Sequence, residues 1–156
     1  MTTTQNTTGN TLIGQLRELV TAETRLAIAT REAHWNVKGP AFYSLHEMFG
    51  AQYTTLDGFI DEIAERVRQL GYYVSGSPLL GASEITSNAD ELLTELSIKH
   101  EKTVTLLRKA IQEAQNRQDE GTADLLTGIM EQHDKMKWMI NASITDKEAA
   151  LINIQH

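Results

Sequence analysis

From Thr11 onward the chain repeats apolar residues at spacings of three and four. Leu12, Leu16, Leu19, Val20, Leu26 and Ala27 form the first stripe, which predicts an amphipathic helix reaching about Trp35. Val37-Lys38-Gly39-Pro40 breaks it. The second stripe is Leu45, Phe49, Leu56, Phe59, Ile63, Val67 and Leu70, and Ser44 with Glu47 three residues on fits a capping box at its start. A start one or two residues earlier is the alternative. Asn88 and Glu91 repeat the cap pattern before a third stripe, Leu92, Leu93, Leu96, Val104, Leu107 and Ile111, which should end near Asn116. Asp119-Glu120-Gly121 reads as a turn, and Leu125, Leu126, Ile129, Met130, Met136, Met139 and Ile140 carry a fourth helix to about Ser143. Residues 71–87 are too long a connection to be structureless in a compact domain, so a short helical turn is expected at 79–85. The pattern predicts an all-α fold: a four-helix bundle with a long crossover, carrying a short extra helix, between helices two and three. Residues 1–9 read as a flexible polar tail, 10–144 as the bundle and 145–156 as a C-terminal tail.

Composition narrows the function. A formal net charge of -7 disfavours nucleic acid and anionic membranes and suits cations. With no cysteine there is neither a disulfide framework nor a thiolate metal site. The N-terminal ten residues lack a basic and an apolar region, so they do not read as a signal peptide. No apolar run approaches the ~20 residues that span a bilayer. The expected compartment is the cytoplasm.

The chemistry concentrates between His34 and Leu70. Asp57, Asp61 and Glu65 recur at every fourth position and share one side of the second helix, with Glu62 beside them. Solvated charge, or pairing with Arg66 or Arg68, is the ordinary reading of such a row. His34 or His46 alone would read as a packing or hydrogen-bonding histidine. Two histidines twelve residues apart, beside an Asp/Glu pair four apart, favour a metal. At about 1.5 Å per residue, however, His46 lies roughly 22 Å from Asp61 and roughly 28 Å from Glu65 along one helix. A single helix cannot bring them to one ion. Two copies crossing antiparallel near residues 54–56 can, and a two-fold axis then makes two sites, each with His34 and His46 from one chain and Asp61 and Glu65 from the other. Nitrogen and carboxylate donors with open positions suit iron(II) redox chemistry, with zinc as the substitute metal.

HWNVKGPAFYSLHEMF followed by DGFIDEIAERVRQLG resembles the signature of the Dps mini-ferritins, ferritin-like proteins of starved bacteria. The close match covers about a quarter of the chain, and the helices follow the family in length and order. The resemblance implies a ferritin-like fold and a hollow homododecamer, in which His34, His46, Asp61 and Glu65 bind iron at two-fold interfaces. It implies a ferroxidase that takes hydrogen peroxide as oxidant and stores the ferric product. Asp57 is then either a residue that steadies a ligand from behind or a surface carboxylate. Asp119, Glu120 and Asp124 would line three-fold pores that admit iron; their bland reading is a favourable interaction with a helix dipole. Glu47 and Glu62 would face the cage interior, against the alternatives of a helix cap and a solvated face. Trp35 reads first as a core aromatic closing its helix. The family carries an aspartate four residues after its second histidine, where this chain has Gly50.

Two other functions compete. Some Dps proteins condense DNA through lysine-rich tails, but residues 1–10 contain no lysine or arginine and Lys147 stands between Asp146 and Glu148. A cage whose oxidation site is impaired by Gly50 would serve as a metal buffer. His100 and His133 read as ordinary core or surface histidines, with His133 as the candidate to replace the missing carboxylate.

Overall fold

A computed structural model describes residues 7–75 and 86–145, with the side chains of residues 7–10 left aside. Four helices follow in order: α1 (Thr7–Asn36), α2 (Phe42–Gln69), α3 (Ala89–Asn116) and α4 (Glu120–Ser143). The apolar stripes point inward. Leu16, Leu19 and Leu26 of α1, Phe49, Leu56 and Ile63 of α2, Leu93 and Leu107 of α3, and Leu126 and Ile140 of α4 are fully buried in one core. Leu70, Leu125 and Met130 reach only its margin, and Met139 is half-buried. Among the described residues no helix is long and apolar enough to cross a membrane.

The start of α1 at Thr7 lies five residues before Leu12, the first of the apolar stripe, because polar residues extend a helix without contributing to its stripe. The capping box expected at Ser44 is absent. α2 starts two residues earlier, after a tight turn in which Gly39 takes φ +111° and Phe42 N–H donates to the Gly39 carbonyl. Ala41 occupies the cap position without a side-chain bond, and the Ser44 hydroxyl donates back to the Ala41 carbonyl. α3 is capped as expected, by Asn88 Oδ1 accepting from Glu91 N–H, but the Glu91 carboxylate takes the Thr86 hydroxyl rather than the Asn88 amide. The turn before α4 falls at residues 117–119, with Gln118 in the left-handed region at φ 59°.

Hydrogen bonds fix the helix directions. Arg17 near the start of α1 donates to the Tyr73 carbonyl just past α2, so α1 and α2 are antiparallel. Lys38 N–H, just past α1, reaches the Ser87 carbonyl just before α3, so α1 and α3 are antiparallel too. α2 and α3 therefore run parallel, and a parallel pair needs a long connection. Its two ends lie at opposite ends of α1, about 30 Å apart at helical rise. The helical turn expected at 79–85 and the C-terminal tail from residue 146 lie outside the described residues.

Candidate metal centre at the α1–α2 junction

His34 closes α1 and His46 opens α2, and the antiparallel turn folds one onto the other. Their rings stack at 3.7 Å between centroids with planes 19° apart. Each Nδ1 meets the other residue's backbone carbonyl, His34 Nδ1 at 2.7 Å from His46 O and His46 Nδ1 at 2.8 Å from His34 O. A carbonyl only accepts, so both Nδ1 atoms carry the hydrogen. In the neutral rings both Nε2 atoms are then bare lone pairs, the form a metal requires. The clasp thus fixes the tautomer and the orientation of two nitrogen donors at once.

Gly50 belongs to this clasp. A Cβ built there would stand 3.3 Å from His34 Cε1 and 3.4 Å from His34 Nδ1, tighter than ordinary packing. The glycine lets the His34 ring lie against the α2 backbone. Tyr53, one turn on, meets His34 edge-on at 5.4 Å, and the Arg31 guanidinium lies 4.6 Å over the Tyr53 ring. Arg31 also pairs with Asp57 at 2.8 Å. Asp57 is thereby engaged by an arginine of its own chain. Arg31 and Tyr53 were silent in the sequence; the signal was Arg31 three residues before His34 and Tyr53 four before Asp57, both pairs on shared helix faces.

The carboxylates stand apart. Asp61, Glu62 and Glu65 are exposed, and none has a hydrogen-bond or ion-pair partner among the described residues. Among those residues, no three His, Asp or Glu side chains of one chain converge to hold a metal. Between the histidines and these acids the exposed positions of α2 are the small residues Ala51, Thr54, Thr55 and Gly58, together with Glu47 beside the histidines and Asp57, which Arg31 holds. Both threonine hydroxyls are satisfied within their own helix, by the Gly50 and Ala51 carbonyls. At the histidine end Trp35, Phe42 and Tyr43 are exposed as well, Trp35 at 64%. Trp35 is thus a surface aromatic, not the core residue expected.

The acids at the start of α4 divide. Asp119 caps the helix, accepting from Thr122 N–H and hydroxyl, and it pairs with Arg66 at 2.8 Å. Burial raises its pKa, but the Thr122 hydrogen bonds and the Arg66 guanidinium outweigh that and hold the carboxyl below the usual range. Arg66 also donates to Thr122 and Gln69, so it ties α2 to the start of α4. Gly121 leaves room for it, since a Cβ there would meet Arg66 Nη2 at 3.0 Å. Glu120 and Asp124 are exposed one turn apart. Glu47 is exposed too, so it is not consumed as a cap. His133 is fully buried in the bundle, bonded to Glu23 and His100, and so does not replace the carboxylate missing at Gly50.

The ferritin-like domain family matches residues 13–149. The DNA protection during starvation protein of Agrobacterium fabrum is 34% identical over 148 residues, spanning 88% of this chain and 90% of that one. The chain belongs to the Dps family of ferritin-like proteins. Among solved structures, a Dps protein from Bacillus brevis superposes with a TM-score of 0.82 at 28% identity, over 88% of this chain and 97% of that one. The Dps protein of Vibrio cholerae O1, described as a member of a broad superfamily of ferritin-like diiron-carboxylate proteins, superposes with a TM-score of 0.80 at 26% identity, over 87% and 90%. The mini-ferritin fold expected from the sequence is therefore the fold of this chain.

Proposed function

We propose that this Dps protein binds iron(II) between two subunits, oxidises it with hydrogen peroxide and stores the ferric product inside a cytoplasmic dodecamer. The observation that carries this is the His34–His46 clasp at the α1–α2 junction, which leaves two bare Nε2 donors, while Asp61 and Glu65 farther along α2 have no partner among the described residues. The small-residue stretch between them suits the close crossing of a second α2. Asp61 and Glu65 supply negative charge, which favours iron(III) over iron(II). Two iron(II) each give one electron to peroxide, its O–O bond breaks to two hydroxides, and no hydroxyl radical escapes. Glu120 and Asp124 would attract iron(II) at the three-fold pores, with Asp119 capping the helix behind them. Glu47 and Glu62 would seed the mineral within. Zinc on the same ligands would block oxidation. A crystal soaked in iron(II) should show anomalous density at the iron edge between the histidine pair of one subunit and the carboxylate pair of the next. Density confined to surface acids would overturn the proposal.

Gly50 sets the number of tight metal positions. With no carboxylate there, anaerobic iron(II) titration should show one tight and one weaker ion per site. Gly50→Asp should tighten the second, at the cost of moving the His34 ring by a few tenths of an ångström. Gly50→Ala should gain less than the ~1 kcal/mol of helix propensity, because the same ring must move. Two equally tight ions in the natural protein would reject this role for Gly50.

Protection of DNA would then be chemical. Phosphate contacts need lysine or arginine, and the chain carries a net charge of -7. No shift of free DNA is expected in a gel at about 150 mM salt with chelator present. A persistent shift would favour the DNA-condensing reading.

A further inference from the structure

Glu23 of α1, His133 of α4 and His100 of α3 form a hydrogen-bonded chain in the middle of the bundle, with all three side chains fully buried. His133 Nε2 lies 2.8 Å from Glu23 Oε1, and the two Nδ1 atoms of His133 and His100 lie 2.9 Å apart. The proposed iron chemistry uses none of them. Because His133 engages its two partners from opposite sides of the ring, the trio does not converge on a common point for a metal ion. Its geometry is that of a proton-holding relay.

The donor inventory fixes how many protons it holds. An ionised carboxylate only accepts, so His133 Nε2 donates to Glu23. The Nδ1–Nδ1 contact needs one donor and one acceptor. A buried carboxylate beside two neutral imidazoles would leave one uncompensated charge in the core, which is costly. One proton shared along the Glu23–His133 contact removes that charge, and on either partner it leaves His133 Nδ1–H donating to a bare His100 Nδ1.

We propose that Glu23, His133 and His100 form an acid-sensitive clasp that joins α1, α3 and α4 at neutral pH and releases them in acid, because a second proton has no place in it. The surroundings offer it none. His100 Nε2 and Glu23 Oε2 have no hydrogen-bond partner among the described residues. From α2 the facing side chain is Phe59, 5.5 Å from the His133 ring and uncharged. From α4 the Lys137 ammonium, itself paired with Glu101 of α3, adds positive charge. Burial first, then His133 and Lys137, lower the His100 pKa to about 3. Unfolded, His100 returns to about 6.5. The folded pKa is the lower one, so this stabilisation is present in full above pH ~6.5 and is lost as the pH falls toward ~3. Each pH unit in that window costs about tenfold in the folding constant.

The test compares the natural protein with His100→Gln, whose amide oxygen accepts from His133 but cannot titrate. Urea unfolding is followed by helical dichroism at pH 7.5 and 4.5, at one protein concentration. Between those values the natural protein should lose about a hundredfold more of its folding constant than the variant. Equal losses would overturn the clasp. Should the variant fold poorly, hydrogen–deuterium exchange at the histidine C2 position decides on the natural protein alone. His100 should show no titration above about pH 4, and a midpoint near 6.5 would overturn the proposal. A tightly held transition metal, one per chain, lost on His100→Gln, would replace the proton clasp with a metal site.

Discussion

Replacing His46 or Asp61 with alanine will slow peroxide-driven iron(II) oxidation by at least about tenfold while leaving the helical dichroism of the protein unchanged. The magnitude follows from what removal of even an orienting partner does to a metal site, about 10–100-fold. His46→Ala removes an Nε2 donor and also the ring against which His34 stacks, so His34 loses its fixed orientation as well. Asp61→Ala removes a carboxylate with no partner among the described residues, so the helical fold should not respond. A variant that unfolded, or one that oxidised iron at the natural rate, would break the link between these residues and the chemistry. His34→Ala should act alike, because each histidine bonds the other's carbonyl and either change removes a donor and frees a carbonyl.

A second large effect is expected at Thr55. Its side chain is exposed and its hydroxyl is bonded to the Ala51 carbonyl of its own helix, so Thr55→Arg should leave the monomer intact. At a two-fold crossing near residues 54–56 the change places two guanidinium groups against each other, out of water. Desolvating such unpaired charges costs on the order of several kcal/mol. Light scattering should show dissociation, and oxidation should fall with it, since both sites of the dimer depend on the crossing. An intact assembly with full activity would move the two-fold axis elsewhere on α2.

The fold was legible because each helix writes its buried face at spacings of three and four. Leu45, Phe49, Leu56, Phe59, Ile63 and Val67 are all buried as the stripe requires. The capping box at Ser44 and Glu47 did not form, and the start two residues earlier, the alternative the sequence left open, is set by a backbone turn through Gly39 that places Phe42 inside the helix. The histidine pair was legible as a pair. Its clasp was not, since two side chain-to-backbone bonds across a turn leave no trace in spacing. Asp57 looked like a rung of the acidic ladder, but Arg31, 26 residues earlier, takes it. The buried relay did carry a signal. Glu23 sits three residues after Val20 and three before Leu26, and His133 sits four after Ile129 and three before Met136, all on inward faces. Polar residues on an apolar stripe call for partners, but their partners here lie 110 and 33 residues away.

The central claim is that each site draws on two chains. His46→Ala and Asp61→Ala chains, unfolded together in equal amounts and reassembled, test it directly. At random association half of the dimers are mixed, and each mixed dimer pairs one doubly defective site with one intact site. Oxidation should therefore recover to about one quarter of the natural rate, although each parent alone stays near background. No recovery from a mixture that has demonstrably exchanged chains would contradict the shared site.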